Sequence, residues 1–288
     1  MDQGILNEIE VLSRWVEFHG MAENVPVGLL RSVWGMTLRG VSEEAYARVF
    51  EGAAPDGKEP RPGYVLADLG ETAAGTRRVR WTLVGRAAIA HDQVLCRAWS
   101  MAGRAGLGAR RVPFQVADAV ELDRGGAPLP AGQRGIWRLG DAHWPLPGEP
   151  AATPCRLVFG AGAHLREKSA TDAKSAFVRE PSWPRIVKSA WNRVRPWLSR
   201  ESQARGDARL PGWMEHAADR PARATWQRNT VTRWSSRQQA LHRFPVVTGR
   251  LDLPNGSGPV WPLLLAVHWL GLGHHTPEGM GAFTIESL

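Results

Sequence analysis

The chain has 288 residues, with 36 Lys and Arg against 28 Asp and Glu, and so a formal net charge of +8. Its charged fraction of 22 % and hydrophobic fraction of 43 % are those of a folded protein with a sizeable core, which excludes a disordered chain. Two cysteines, Cys96 and Cys155, are too few for a disulfide framework or a zinc set and point to a reducing compartment.

The first eight residues lack a basic stretch followed by an apolar run, so no signal peptide is read there. The longest strongly apolar stretch, 261–272, falls well short of the roughly 20 residues a membrane span needs. A cytoplasmic protein without membrane contact is expected.

Imperfect apolar alternation predicts a strand over 5–18, and residues 29–40 carry Leu30, Val33, Trp34 and Leu38 near helical spacing. Ser42 opens a second short helix over 46–50. After a Pro- and Gly-rich turn, strands are expected at 64–69 and 77–90. Asp92 then starts a helix to about residue 103, and a strand spans 112–122. This order, strand, helix, strand pair, helix, strand, is the split βαβ or ferredoxin-like pattern.

Residues 125–150 are rich in Gly and Pro and read as a linker with an irregular hairpin. The same order then recurs. A strand at 154–159 is followed by a mostly helical segment, 170–200, broken at Pro181, Pro184 and Pro196, and by a loop over 202–223. Strands at 225–240 and 244–251, a helix at 262–270, a Gly-rich loop at 271–281 and a strand at 282–285 complete it. The expected fold class is α+β, with two tandem ferredoxin-like (RRM-like) βαββαβ domains over 1–124 and 151–288. A basic helical insertion, a finger over about 166–224, lies within the second.

The charge is unevenly distributed. Residues 166–250 hold 18 Lys and Arg against 7 Asp and Glu, while the remainder is slightly acidic. The same segment holds six of the 14 tryptophans. Cations interleaved with aromatics suit a nucleic-acid surface, because cations meet phosphates and flat rings stack on unpaired bases. A solvated helical face with Trp as ordinary core is the competing reading.

Glycines 271, 273, 279 and 281 form a loop whose N–H groups are able to wrap phosphates. Its spacing is neither that of a P-loop nor that of a dinucleotide fingerprint, and a structural turn explains it as well.

Three stretches carry a family resemblance: Thr232-Arg233-Trp234-Ser235-Ser236-Arg237-Gln238, Leu272-Gly273-His274-His275-Thr276-Pro277-Glu278-Gly279-Met280-Gly281, and Gly106-Leu107-Gly108-Ala109-Arg110-Arg111-Val112-Pro113-Phe114. They resemble the CRISPR repeat-RNA-processing endoribonucleases of the RAMP superfamily. Pro154-Cys155-Arg156-Leu157 is similar to that family's entry into its second domain. The resemblance implies binding of a repeat RNA stem-loop, other CRISPR effector subunits as partners, and no cofactor or metal. It implies cleavage by the 2′-OH, leaving a 2′,3′-cyclic phosphate and a 5′-OH. Such chemistry requires a base, cations at the phosphate and an acid for the leaving oxygen.

Arg39 stands where many members of that family have a histidine. Arginine is a poor base, but it orients and stabilises a phosphate bidentately. Arg31 lies eight residues earlier, about 80° around the helix, and is placed to flank the same phosphate. His19 is a base or acid candidate, and Arg243 a phosphate cation. Each of these has a purely structural alternative. Lys174, Arg179, Arg185, Lys188, Arg193, Arg195, Arg233, Arg237 and His242 are the expected RNA contacts, together with Gly273, His274, His275, Gly279 and Gly281 of the glycine loop. Within the family, an Arg-centred site and a helical finger resemble the divergent processing nucleases of type IV systems and imply slow, single-turnover cutting. A RAMP-fold RNA-binding scaffold that does not cut is the alternative, and a general RNA-binding protein is a second one.

Overall fold

The computed structural model describes residues 3–20, 25–52, 62–108, 110–130, 132–144, 151–168, 175–235 and 240–288. The chain divides into two contact units. One comprises Ile9–Arg138 with Pro277–Gly279, and the other Met1–Glu8, Leu139–Thr276 and Met280–Leu288. Residues 3–6 form a short helix, α1 (Gln3–Leu6), where alternation predicts strand. Its Ile5 and Leu6 are wholly buried.

The first unit runs β1 (Glu10–His19), α2 (Val27–Val41), α3 (Glu43–Ala45, continuing as a π-helical turn to Glu51), β2 (Tyr64–Glu71) and β3 (Arg77–Val84). The predicted strand over 77–90 stops at Val84. Gly85, at φ +82°, turns the chain into α4 (Arg86–Ile89). Then come α5 (Asp92–Ala105), β4 (Gln115–Val116), β5 (Val120–Leu122) and β6 (Ile136–Arg138).

The sheet order is β2-β3-β1-β4, all antiparallel, which is the ferredoxin-like arrangement. The single strand expected over 112–122 is divided. β4, β5 and β6 each pair with a different stretch of β1, opposite Phe18–His19, Ser13–Trp15 and Glu10–Leu12. Residues 136–138, expected in a linker, are therefore part of the sheet.

One face of this sheet is closed by α2 and α5. Leu30, Val33, Trp34 and Leu38 follow helical spacing and are buried. Trp34 stacks on Trp99 of α5 at 4.5 Å and 10°, and meets Phe50 and Tyr64 edge-on. Such pairs add to the area they bury. Beneath them Arg14 of β1 is buried. Its Nε and Nη2 donate to Asp92 at 2.8 and 2.7 Å, and Nη2 also lies 2.6 Å from Glu121. Burial pushes the neighbouring Cys96 thiol up to about 12, and Cys155 up to about 11, so both stay protonated.

The second unit runs β7 (Cys155–Ala163), β8 (Arg166–Lys168), β9 (Ser175–Phe177), α6 (Trp183–Val194), α7 (Arg200–Ala218), β10 (Arg223–Ser235), β11 (Ala240–Leu253), α8 (Trp261–Leu270) and β12 (Thr284–Ser287). Its sheet order, β10-β11-β7-β12, repeats that of the first unit, again antiparallel. β8 and β9 pair as a separate hairpin.

The segment expected as one insertion contains two helices of different standing. α6 is the crossover helix between β7 and β10. Its Trp183, Ile186, Val187, Ala190, Trp191 and Val194 are buried, and Pro184 sits in the first turn, where it is tolerated. α7 is additional to the βαββαβ order, and it falls where the sequence predicts a loop. Gly206, Pro211 and Gly212 argue against a helix there. Capping and packing override them. Ser199 Oγ accepts from Ser202 N at 3.3 Å, and the Glu8 carboxylate accepts from Ser199 N at 2.8 Å and from Ser202 Oγ at 2.5 Å. Gly206 lets α7 approach the Trp191 ring, which a Cβ would overlap. No helix among the described residues is long and apolar enough to cross a membrane.

Removing one partner of a buried ion pair leaves an uncompensated charge. Asp92→Ala is therefore expected to destabilise the first unit by about 3–5 kcal/mol. Urea unfolding followed by the near-ultraviolet ellipticity of the Trp34–Trp99 stack measures it.

Candidate nucleic-acid site

In the second unit, four histidines and two phenylalanines gather where β7 ends. His164 follows directly on β7, and its Nδ1 donates to the Pro245 carbonyl of β11 at 2.6 Å. Its ring lies 5.7 Å from Phe177, stacked at 23°, and 5.3 Å from His275. His275 is 4.3 Å from Phe244, on which His242 stacks at 6.2 Å and 16°. His274 reaches back to His164 through its backbone N–H, at 3.0 Å. The pairing of β11 with β10 places His242 and Phe244 on one strand face, two residues apart. His275 is held at φ +60°, a conformation rare for a non-glycine residue.

Burial pushes the His164 imidazole below its ordinary value, and His275 and Arg166 add to the effect although the Pro245 hydrogen bond opposes it. His274 is shifted the same way by burial, then by His164, His275, Arg166 and Arg193. Both shifts favour the neutral imidazole. Among the described residues, no three His, Cys, Asp or Glu side chains gather as metal ligands.

The glycine loop closes onto this site through its own backbone. The N–H groups of Leu272, His274, Met280 and Gly281 donate to Gly281, His164, His275 and Gly162 respectively. Those amides are spent inside the fold and leave no phosphate cradle built on them. Gly273 sits at φ +87°, where a Cβ would lie 2.6 Å from the His164 carbonyl, and Gly281 sits at φ +78° against the Leu272 carbonyl. Close approach accounts for both. Gly279 has φ +86° and belongs to the first contact unit.

The expected residues of the first unit differ in their surroundings. Arg31 packs inward. Its Nε donates to Tyr64 Oη at 2.6 Å, and its guanidinium lies 5.3 Å from the Phe50 ring. Arg39 is exposed at the end of α2, 3.7 Å from Glu43 and over the Tyr46 ring at 5.7 Å. His19 ends β1, partly exposed.

The basic residues of the second unit divide similarly. Arg185 is held by Glu167 and the Arg166 carbonyl, Arg193 donates to the Leu270 carbonyl at the end of α8, and Arg195 pairs with Asp207. Arg179, Lys188 and Arg243 are exposed. Lys174 and Arg237 lie outside the described residues, as does the Arg233 side chain.

The sequence reading missed His164, Phe177 and Phe244. A signal for His164 was present, because it closes the first strand of the second unit as His19 closes that of the first.

Since burial lowers the proton affinity of His164 in the folded state, the unfolded chain binds more protons below about pH 6.5. Stability from this group is fully present above that pH and is lost as pH falls. The urea midpoint of the second unit is expected to drop between pH 7 and pH 5, and His164→Gln to flatten that drop. An unchanged slope in His164→Gln would assign the effect to other groups.

No protein-family model and no curated protein matches the chain. Solved structures do. A Cas6 in a product complex superimposes with a TM-score of 0.59 at 18 % identity, over 96 % of this chain and 99 % of its own. Thermus thermophilus Cas6 gives 0.59 at 17 % identity, over 96 % and 98 %. A chain of a partial Cas6-RT-Cas1–Cas2 complex gives 0.54 at 11 % identity, with 97 % of this chain matching 46 % of that longer one. At these identities the likeness is one of architecture, and the chain has the fold of the Cas6 proteins.

Proposed function

We propose that this chain is a metal-independent endoribonuclease that cuts CRISPR precursor RNA within its repeat and keeps the product hairpin. The observation that carries this reading is the match, along nearly the whole of both chains, to a Cas6 in a product complex. The concentration of cations and aromatics in residues 166–250 supports it.

The reaction needs no external nucleophile. The ribose 2′-OH loses its proton to a base and bonds to the adjacent phosphorus. The bond to the 5′-oxygen breaks, and that oxygen takes a proton. Arg39 and Arg243 are exposed cations suited to the charge that develops on the phosphate. His19 is the proposed proton carrier. Arg31, committed to Tyr64, acts by position. Without histidine at residue 39, proton transfer is less well served, which fits slow or single-turnover cutting. That feature, with α7 as a helix added to the βαββαβ order, supports placement among the divergent type IV processing nucleases. Other CRISPR effector subunits are the proposed protein partners.

A second reading, an RNA-binding scaffold that does not cut, draws on Arg39 itself, already engaged by Glu43 and Tyr46.

Incubation of the protein with its repeat RNA in EDTA separates the two. Cutting at one position, with a cyclic-phosphate end, is expected. Arg39→Ala and Arg243→Ala should each slow cutting by about 10²-fold or more while binding persists. Tight binding without any cutting by the unaltered protein would establish the scaffold.

A further inference from the structure

A hollow of about 540 Å³ opens beside the β10–β11 hairpin, lined by Phe177, Arg179, Arg228, Asn229, Thr230 and Pro245. Its size is that of a small-ligand site. We propose that it holds one unpaired nucleotide of the bound RNA, an inference that rests on the RNA-processing reading above.

The chemistry of the wall is the argument. The Phe177 ring is stacked on the His164 ring, 5.7 Å away, and Phe177, only partly buried, lines the hollow. That leaves a backed aromatic platform for a base. Stacking of this kind tolerates any base, because each has a π-face. Asn229, also in the lining, donates through Nδ2 to Thr248 Oγ1 at 2.7 Å, which fixes the amide and leaves its carbonyl oxygen to accept. Arg179 and Arg228 are exposed at the rim. Arg228 has only a loose, exposed partner in Glu180, at 3.7 Å, so a phosphate readily displaces it. Among the described residues none of those lining the hollow carries a carboxylate, and Glu180 stands beside Arg228. A free phosphate would need the two arginines but not the ring. An apolar peptide would need the ring but not the arginines. A nucleotide uses both, together with the amide.

The test is titration of repeat RNA against the full-length protein over a salt series. Unaltered protein, Phe177→Leu, Phe177→Trp and the double variant Arg179→Gln/Arg228→Gln are compared. Phe177→Leu is expected to weaken binding about tenfold or more, and Phe177→Trp to retain it. The double variant should lower the slope of log affinity against log salt by about 2. It lies on the surface and so reads independently of any packing defect at Phe177. Binding left unchanged by Phe177→Leu and by the double variant overturns the pocket and leaves the RNA-processing reading intact. Failure of the unaltered protein to bind repeat RNA overturns both. Mononucleotides binding as tightly as the RNA, with that binding lost in Phe177→Leu, overturn the proposal in favour of a small nucleotide ligand.

Discussion

Three backbone hydrogen bonds tie the chain after α8 into the second unit: His274 N to the His164 carbonyl, Gly281 N to the Gly162 carbonyl, and Leu272 N to the Gly281 carbonyl. The aromatic and histidine cluster depends on this seam. It sets His275 against Phe244 and His164, and it fixes the end of β7 beneath Pro245. The seam requires glycine because the strands of chain approach too closely for a Cβ. At Gly162 one would lie 2.8 Å from the Val246 side chain, and at Gly273 it would lie 2.6 Å from the His164 carbonyl. Glycines that look like a phosphate loop in one dimension are thus the hinges of an internal closure. The side chains this closure sets in place are those of the aromatic and histidine cluster.

The two units use one topology for different ends. β1 and β7 each occupy the inner position of their sheets, and each is followed by a histidine-bearing end. α2 and α6 are the corresponding first crossover helices. In the first unit the crossover helix carries Arg39 to its exposed end and folds Arg31 onto tyrosine. In the second it spends its arginines on the fold. Arg193 holds the last carbonyl of α8, a favourable place for a cation at a helix C-terminus, and Arg195 braces Asp207 of α7.

Elements with strong periodicity were legible from the residues alone. α2, α5, α8 and the paired strands fall within a few residues of their expected places because their apolar spacing is dictated by the face they bury. Failures occurred where tertiary contact outweighs local preference. α7 forms despite Pro211 because Glu8, almost two hundred residues away, helps cap it. The strand at 112–122 divides because β1 offers three successive stretches for pairing. Phe177 and His164 carry no local signal for their meeting. The stack exists only once β9 folds back on β8.

The basic segment shows why net charge locates a polyanion partner only coarsely. Its excess is real, yet several of the cations are structural: Arg185 anchors β8, Arg193 finishes α8 and Arg195 joins α6 to α7. A guanidinium serves both purposes because its fork satisfies carbonyls and carboxylates as well as phosphates. What separates the two uses is whether the fold supplies an oxygen. Where it does, the charge is consumed. At Arg179, Lys188 and Arg243 the side chain stays exposed, and there the sequence excess becomes surface potential. The exposed cations are accordingly fewer than the charge run suggested, and they are spread over the segment before α6, α6 itself and β11.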